Sequence, residues 1–278
     1  MPVFFFALSI SPNLIVATLV PSFLVIHLLL YPASNGYNSY FDRDEESIGG
    51  LKNPPPVDRS LYFTSLVLDL TAVIVGFLYV NLLFSFMLLI YGLVSRAYSH
   101  PGIRLKKYPI VGWLTVVVFQ GFFALLMCYV GINRFNLENL FHNKLLFAAG
   151  LTSAMLFASY PMTQVYQHGE DSKRGDRTMS LLLGIRGTFF FAGFFFLITS
   201  AGFVTFFEIY YNQVYAAIFL LALSPVVIFY LYWFFRVWQN EKRADHTSAM
   251  RLNFISAFCL NSFFIYFFLE TSHVLQYR

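Results

Sequence analysis

Long apolar runs, separated by short polar stretches, set the pattern of this chain. Runs at roughly 13–38, 60–79, 81–98, 109–131, 143–166, 186–208, 214–238 and 251–274 each read as a helix. An α-helix needs about 20 apolar residues to cross a bilayer, and these runs are close to that length or beyond it. A helix satisfies its backbone donors and acceptors within one segment, which lipid demands. A further apolar stretch, Pro2 to Ile10, is too short to span alone. No Lys or Arg precedes Arg43, so neither a signal-peptide n-region nor a basic anchor is present there. The stretch reads as the end of a first helix whose upstream half is missing from the chain or was never part of it. The expected fold class is all-α: a polytopic membrane bundle of about nine helices, the first truncated, in one domain over 1–278.

Composition supports this. Hydrophobic residues make up 58% of the 278 and charged residues only 12%, against about 25% charged in ordinary soluble domains. The net charge of +4 then reads as a topology signal, and no nucleic-acid partner is expected. Fifteen of the 18 basic residues fall in the segments around 43–59, 96–107, 173–186 and 236–251. Arg134, Lys144 and Arg278 lie on the opposite side. The positive-inside rule places the first group in the cytoplasm, and a bacterial inner membrane is the expected location. Cys128 and Cys259 fall inside predicted spans and read as buried free thiols. The 35 Phe residues serve either as packing and lipid-facing surface or as rings that line a cavity and stabilise cations.

Two polar clusters interrupt the apolar pattern on the basic side. Asn38, Asp42 and Glu46 stand at i, i+4 and i+8 after the first long run. If the helix continues through them, all three project from one face, about 6 Å of rise apart. Oxygen ligands at the end of a membrane helix suit Mg²⁺, which takes one or two carboxylates plus substrate phosphates. The second cluster, Gln167-x3-Asp171-x3-Gly175-Asp176-Arg177-Thr178, follows another apolar run. Two acidic clusters at matching depth point to a metal–diphosphate site set into a membrane. Asp69 lies mid-helix and is either a polar group of the pocket or a carboxyl hydrogen-bonded to a neighbouring helix. His27 and Gln120 are expected to make interhelical hydrogen bonds.

These motifs resemble the UbiA prenyltransferase superfamily. Asn38-x3-Asp42-x3-Glu46 with Lys52-Asn53-Pro54 looks like its first aspartate-rich motif. Tyr98-Ser-His-Pro-Gly-Ile-Arg104-Leu-Lys106-Lys107 is similar to its Tyr-Ser…Lys-Arg loop, and Gln167 to Thr178 to its second motif. The resemblance implies a central apolar cavity open to the cytoplasmic side and holding the prenyl tail. It implies one Mg²⁺ on Asn38, Asp42 and Glu46, and a second on Asp171 with Gln167 or Asp176. Asn38, Asp42 and Asp171 would be the catalytic centre. Arg104, Lys106 and Lys107 would neutralise the diphosphate, with Tyr98, Arg43, Lys173, Arg174 and Arg177 as further candidates. The chain departs from the family at Ser39, at Glu46 and, most consequentially, at Gln167, where an Asp is expected.

Three functions follow from the resemblance. The first is transfer of a prenyl group from an isoprenyl diphosphate to an aromatic or lipid acceptor. The second is terpene cyclisation, in which the substrate's own double bonds capture the cation. The third is non-catalytic binding of isoprenoid lipids, with Gln167 marking a decayed site. Mg²⁺-dependent diphosphate release separates the enzymes from the binder, and a product formed without acceptor separates cyclase from transferase.

Overall fold

The structure is a computed structural model and describes residues 2–272. A short helix, α1 (Pro2–Ser9), precedes eight helices long and apolar enough to cross a membrane. These are α2 (Val16–Asp42), α3 (Arg59–Tyr79), α4 (Leu82–Ser99), α5 (Pro109–Asn133) and α6 (Asn143–Gln164), then α8 (Met179–Tyr210), α9 (Gln213–Gln239) and α10 (His246–Thr271). A seven-residue helix, α7 (His168–Arg174), joins α6 to α8. The short first helix and the eight spans match the hydropathy pattern. Positions 273 and 274 of the predicted last span lie outside the described residues.

Side-chain caps fix where most spans begin. Asp58, Asn81, His142, Thr178, Asn212 and Asp245 each accept from a backbone N–H in the first turn of the helix that follows, satisfying donors that lipid would leave stranded. Helix α8 starts seven residues before the predicted 186, at Met179. Its ladder breaks at Gly184 (φ 70°, ψ 170°), a conformation that side chains with a Cβ rarely adopt. Hydropathy sees only the apolar helix beyond the break.

Two spans carry π-helical segments, and the one in α5 brings side chains to the site. In α2 the segment Val25–Leu30 lies just before Pro32, which has no N–H to give the preceding turn. In α5 the segment Val117–Phe123 has Ser153 of α6 wedged into its ladder. The Ser153 hydroxyl donates to the Val117 carbonyl at 2.8 Å and accepts from the Phe122 N–H at 3.0 Å. Gly121 permits this approach, because a Cβ there would stand 2.7 Å from the Ser153 Cα. Insertion into the ladder is a recognised cause of such bulges, and here it places Phe119 and Gln120 on a cavity wall.

Helix α6 packs chiefly on α8 and on the π-segment of α5, while α2 lies against α3 and α9 against α10. Helix α1 wedges between α5 and α10, burying Phe4, Phe6 and Ala7. Outward faces of the spans carry exposed Leu, Ile, Val and Phe, as a lipid-facing surface requires. Cys128 and Cys259 are buried and unpaired.

Candidate active site

Both polar clusters reach one cavity of about 400 Å³ at the end of the bundle where α2, α4 and α6 stop. Asn38, Asp42, Asp44, Lys106, Gln167, Asp171, Arg174 and Asp176 line it together. The two motifs, 129 positions apart in sequence, therefore form a single site.

The first motif is organised around Lys106. Its ammonium donates to Asn38 Oδ1 at 2.9 Å and to the Asp42 carboxylate. Ser99 Oγ donates to the same Asn38 oxygen at 2.7 Å. Lys106 sits in a 3₁₀ turn, Leu105–Lys107, pressed onto α5. Gly112 allows this, since a Cβ there would lie 2.9 Å from the Lys106 Cα. Burial pulls the Lys106 ammonium down, and the Asp42 carboxylate counters it. A cation already seated among oxygen acceptors shows what this end of the cavity attracts.

Helix α2 does not continue through Glu46. It stops at Asp42 because Arg43 takes the left-handed conformation (φ 49°) at the C-cap. The i, i+4, i+8 face therefore ends at its second member. Glu46 lies on the surface, its side chain 62% exposed and paired with Lys173 at 3.1 Å. The reversal turns Asp44 into the cavity instead, where it accepts from Arg174. Arg43 is exposed, with its guanidinium 5.9 Å from the Tyr40 ring.

The second motif presents Asp171 from α7. Its Oδ2 accepts from Thr178 Oγ1 at 3.1 Å, and among the described residues no Lys or Arg pairs with it. Burial raises its carboxyl to about 7; the Thr178 hydrogen bond opposes the shift and nearby Asp176 adds to it. Asp176 is held by Arg104 through two parallel bonds, Nε to Oδ1 at 2.8 Å and an Nη to Oδ2 at 2.7 Å. That pairing raises the Arg104 guanidinium and ties Asp176 to a cation, so it is not a free partner for Asp171. Gln167 lines the cavity at the predicted position. Lys107 and Arg177 are exposed and meet through backbone, the Arg177 N–H donating to the Lys107 carbonyl at 3.2 Å. Lys173 is exposed and engages Glu46 and Glu170.

Asp69 lies away from the cavity. It pairs with Arg96 of α4, and the Arg96 guanidinium also sits 5.2 Å from the Tyr37 ring. The partner is on a neighbouring helix, but it is a cation, where the sequence reading expects a neutral hydrogen-bonded carboxyl. Gln120 lines the cavity, whereas His27 bonds only its own helix, at the Phe23 carbonyl 2.9 Å away.

Tyr98, singled out in the sequence, lines the cavity, and several other contributors were not singled out. The Tyr98 and Tyr160 hydroxyls bond each other on the cavity wall. Ile48, Gly49 and Gly50 form a strap over the mouth. The Tyr166 hydroxyl accepts from the Gly49 N–H at 3.1 Å, and His246 Nε2 bonds the Gly49 carbonyl at 2.7 Å. The pair of glycines in the polar loop was the available signal.

A second cavity of about 440 Å³ shares Thr163 and Asn253 with the first. It is almost wholly apolar and runs between α6, α8, α9 and α10. On α10, Asn253, Ser256, Ala257, Leu260 and Phe264 line it, a one-face spacing that spans about 16 Å of rise. Phe6, Phe203, Phe219 and Phe264 close its far end. The Phe6–Phe264 and Phe203–Phe219 rings stack at 4.6 and 4.7 Å.

Fold and site together define a membrane-embedded helical bundle around an amphipathic cavity, charged at one end and apolar beyond. The UbiA prenyltransferase family matches residues 1–257, and the chain belongs to it. The fold is similar to that of a UbiA homolog from Archaeoglobus fulgidus bound to DMAPP and Mg²⁺, with TM-score 0.61 and 16% identity over 96% of this chain and 93% of that one. A UbiA homolog from the same organism bound to GPP and Mg²⁺ gives TM-score 0.60 and 16% identity over 96% and 95% of the two chains. No curated protein matches the chain.

Proposed function

We propose that this protein is a Mg²⁺-dependent intramembrane prenyltransferase that ionises an isoprenyl diphosphate and passes the prenyl group to an aromatic or lipid acceptor. The observation that carries this reading is the junction of the two cavities. A mouth lined by oxygen donors and cations meets an apolar shaft at Thr163 and Asn253, the shape of a molecule with an anionic head and a hydrocarbon tail. Two solved structures of a UbiA homolog hold such molecules and Mg²⁺. The site draws on α2, α4, α5, α6, α7 and α10, which supports reading the whole chain as one membrane domain.

The donor set fits Mg²⁺. Asn38, Asp42 and Asp171 offer hard oxygen atoms, and Gln167 an amide oxygen, around one cavity. Among the described residues no three of His, Cys, Asp and Glu converge closely enough to hold a metal alone. That suits an ion whose coordination is completed by substrate phosphate and water. When bound, the cation offsets negative charge developing on the leaving diphosphate.

This chain's own residues supply the rest. Lys106 and Arg174 place positive charge at the mouth, each already engaged with a carboxylate that a diphosphate would compete with. Arg104 holds Asp176 and approaches Asp42 at 3.5 Å, keeping the two motifs in register. The shaft takes the prenyl tail and keeps water from the allylic carbon. Aromatic faces of Tyr91, Tyr98, Phe119 and Tyr160 border the route and stabilise positive charge. Ser34, Ser95, Thr115 and Gln120 give the first cavity a neutral polar lobe. Such groups orient a second, acceptor molecule. The basic bias of this end supports a mouth at the cytoplasmic face, and a bacterial inner membrane is the location proposed.

The test is incubation of the purified protein with C10, C15 and C20 prenyl diphosphates and Mg²⁺, with and without a phenolic acceptor. Diphosphate release that requires the acceptor supports transfer. A cyclic hydrocarbon or alcohol formed without acceptor identifies a cyclase instead. Absence of release under every condition identifies a non-catalytic binder.

A further inference from the structure

The left-handed turn at Arg43 changes which carboxylate of the first motif faces the cavity. Two residues beyond the helix end, Asp44 is folded back, with its side chain only 6% exposed. One of its oxygens accepts from Arg174. The other, Oδ2, is buried and has no hydrogen-bond partner among the described residues. A carboxylate oxygen left bare in a buried wall is costly unless something pairs with it. The shared wall holds Asn38 and Asp42, the oxygen donors of the same motif. Glu46, which the motif spacing selects, is off that wall and neutralised at the surface by Lys173.

We propose that Asp44, not Glu46, completes the first motif as an oxygen ligand of the divalent cation. This inference rests on reading the mouth as a cation–diphosphate site. Asn38 and Asp42 supply donors from the end of α2, and Asp44 supplies the third from the turn that follows it. Arg174 then has two tasks. It holds Asp44 through one oxygen while leaving the other free, and it stays at the mouth to meet the diphosphate. The family spacing places the third ligand on a continuing helix. In this chain the helix ends one turn early, and the ligand comes from the turn itself.

The test uses the full chain in detergent, with Mn²⁺ binding followed by electron paramagnetic resonance, alone and with a prenyl thiodiphosphate that resists ionisation. Asp44→Asn should weaken Mn²⁺ binding at least tenfold, whereas Glu46→Gln should change it less than twofold. Arg174→Gln should leave Mn²⁺ binding without thiodiphosphate unchanged or tighter, because a competing cation is removed. Loss in Arg174→Gln equal to that in Asp44→Asn would mean that Asp44 acts only by holding the arginine, and would overturn the assignment. A direct readout covers the case in which Asp44→Asn folds poorly. Asp44→Cys should give a cadmium–thiolate absorption band on adding Cd²⁺, and Glu46→Cys should not; the reverse pattern overturns the assignment. A wild type that binds no Mn²⁺, with or without the thiodiphosphate, would remove the cation-site reading itself and this inference with it.

Discussion

Asp42 and Asp171 end up in one cavity at the mouths of two different helices, yet they are kept in opposite ways. Asp42 is saturated by Lys106, with Arg104 3.5 Å away. Asp171 has one neutral donor, Thr178, and burial raises its carboxyl to about 7. Asp42 thus carries a counter-cation and Asp171 does not. A buried ion pair is weak evidence for net stability, but breaking it from one side is expensive. An unpaired buried carboxyl avoids that cost by holding its proton. Asp42 is therefore structurally committed, while Asp171 is free to respond to what enters the cavity.

The largest expected difference comes from deleting each carboxylate. Asp42→Ala and Asp171→Ala should each lower diphosphate release about a hundredfold or more. From the sequence alone, both substitutions should spare the fold. The structure separates them: Asp42→Ala strands the Lys106 ammonium and should cost about 3–5 kcal/mol of stability. Asp171→Ala should leave thermal unfolding in detergent nearly unchanged. Adding Lys106→Met to Asp42→Ala should recover stability without recovering turnover, and a double variant as unstable as the single one would break the comparison.

A smaller effect is expected at Gln167, which faces the same cavity as Asp171. Gln167→Asp adds a carboxylate to the cavity that Asp171 lines, and half-saturation by Mg²⁺ should fall about tenfold, or 1.4 kcal/mol. An unchanged Mg²⁺ dependence would place Gln167 outside the coordination sphere. In the shaft, Phe264→Leu thins the aromatic floor and should move preference toward a longer prenyl diphosphate, read as relative kcat/KM across C10, C15 and C20. The smallest signal is the titration of Asp171. Without divalent cation its carboxyl should be protonated below pH 7 and become anionic above it, seen as loss of a protonated-carboxyl infrared band absent from Asp171→Asn. Thr178→Val removes a hydrogen bond that favours the charged form, so the band should then persist to higher pH.

The spans were legible because lipid permits little besides long apolar helices, and because Asp58, Asn81, Asn212 and Asp245 mark helix starts by type. The meeting of the motifs was legible through the family resemblance. The fate of Glu46 was not, because the helix stop rests on Arg43 turning left-handed, without the glycine that usually signals such a stop. Asp176 looked available beside Asp171, and only the three-dimensional placement of Arg104, 72 positions earlier, shows it occupied. Asp69 shows the same limit. Its partner Arg96 comes from the next helix, and hydropathy does not encode the register between two antiparallel spans.

The central claim is that the mouth ionises a diphosphate for transfer to a second molecule. Its most direct test is diphosphate release from one prenyl diphosphate, measured with Mg²⁺ and acceptor each present or withheld, in wild type and Asp171→Asn. The account predicts release only when both are present, and a fall to background in Asp171→Asn with binding of a prenyl thiodiphosphate still detectable. Equal release without acceptor, or an Asp171→Asn rate matching wild type, would contradict it.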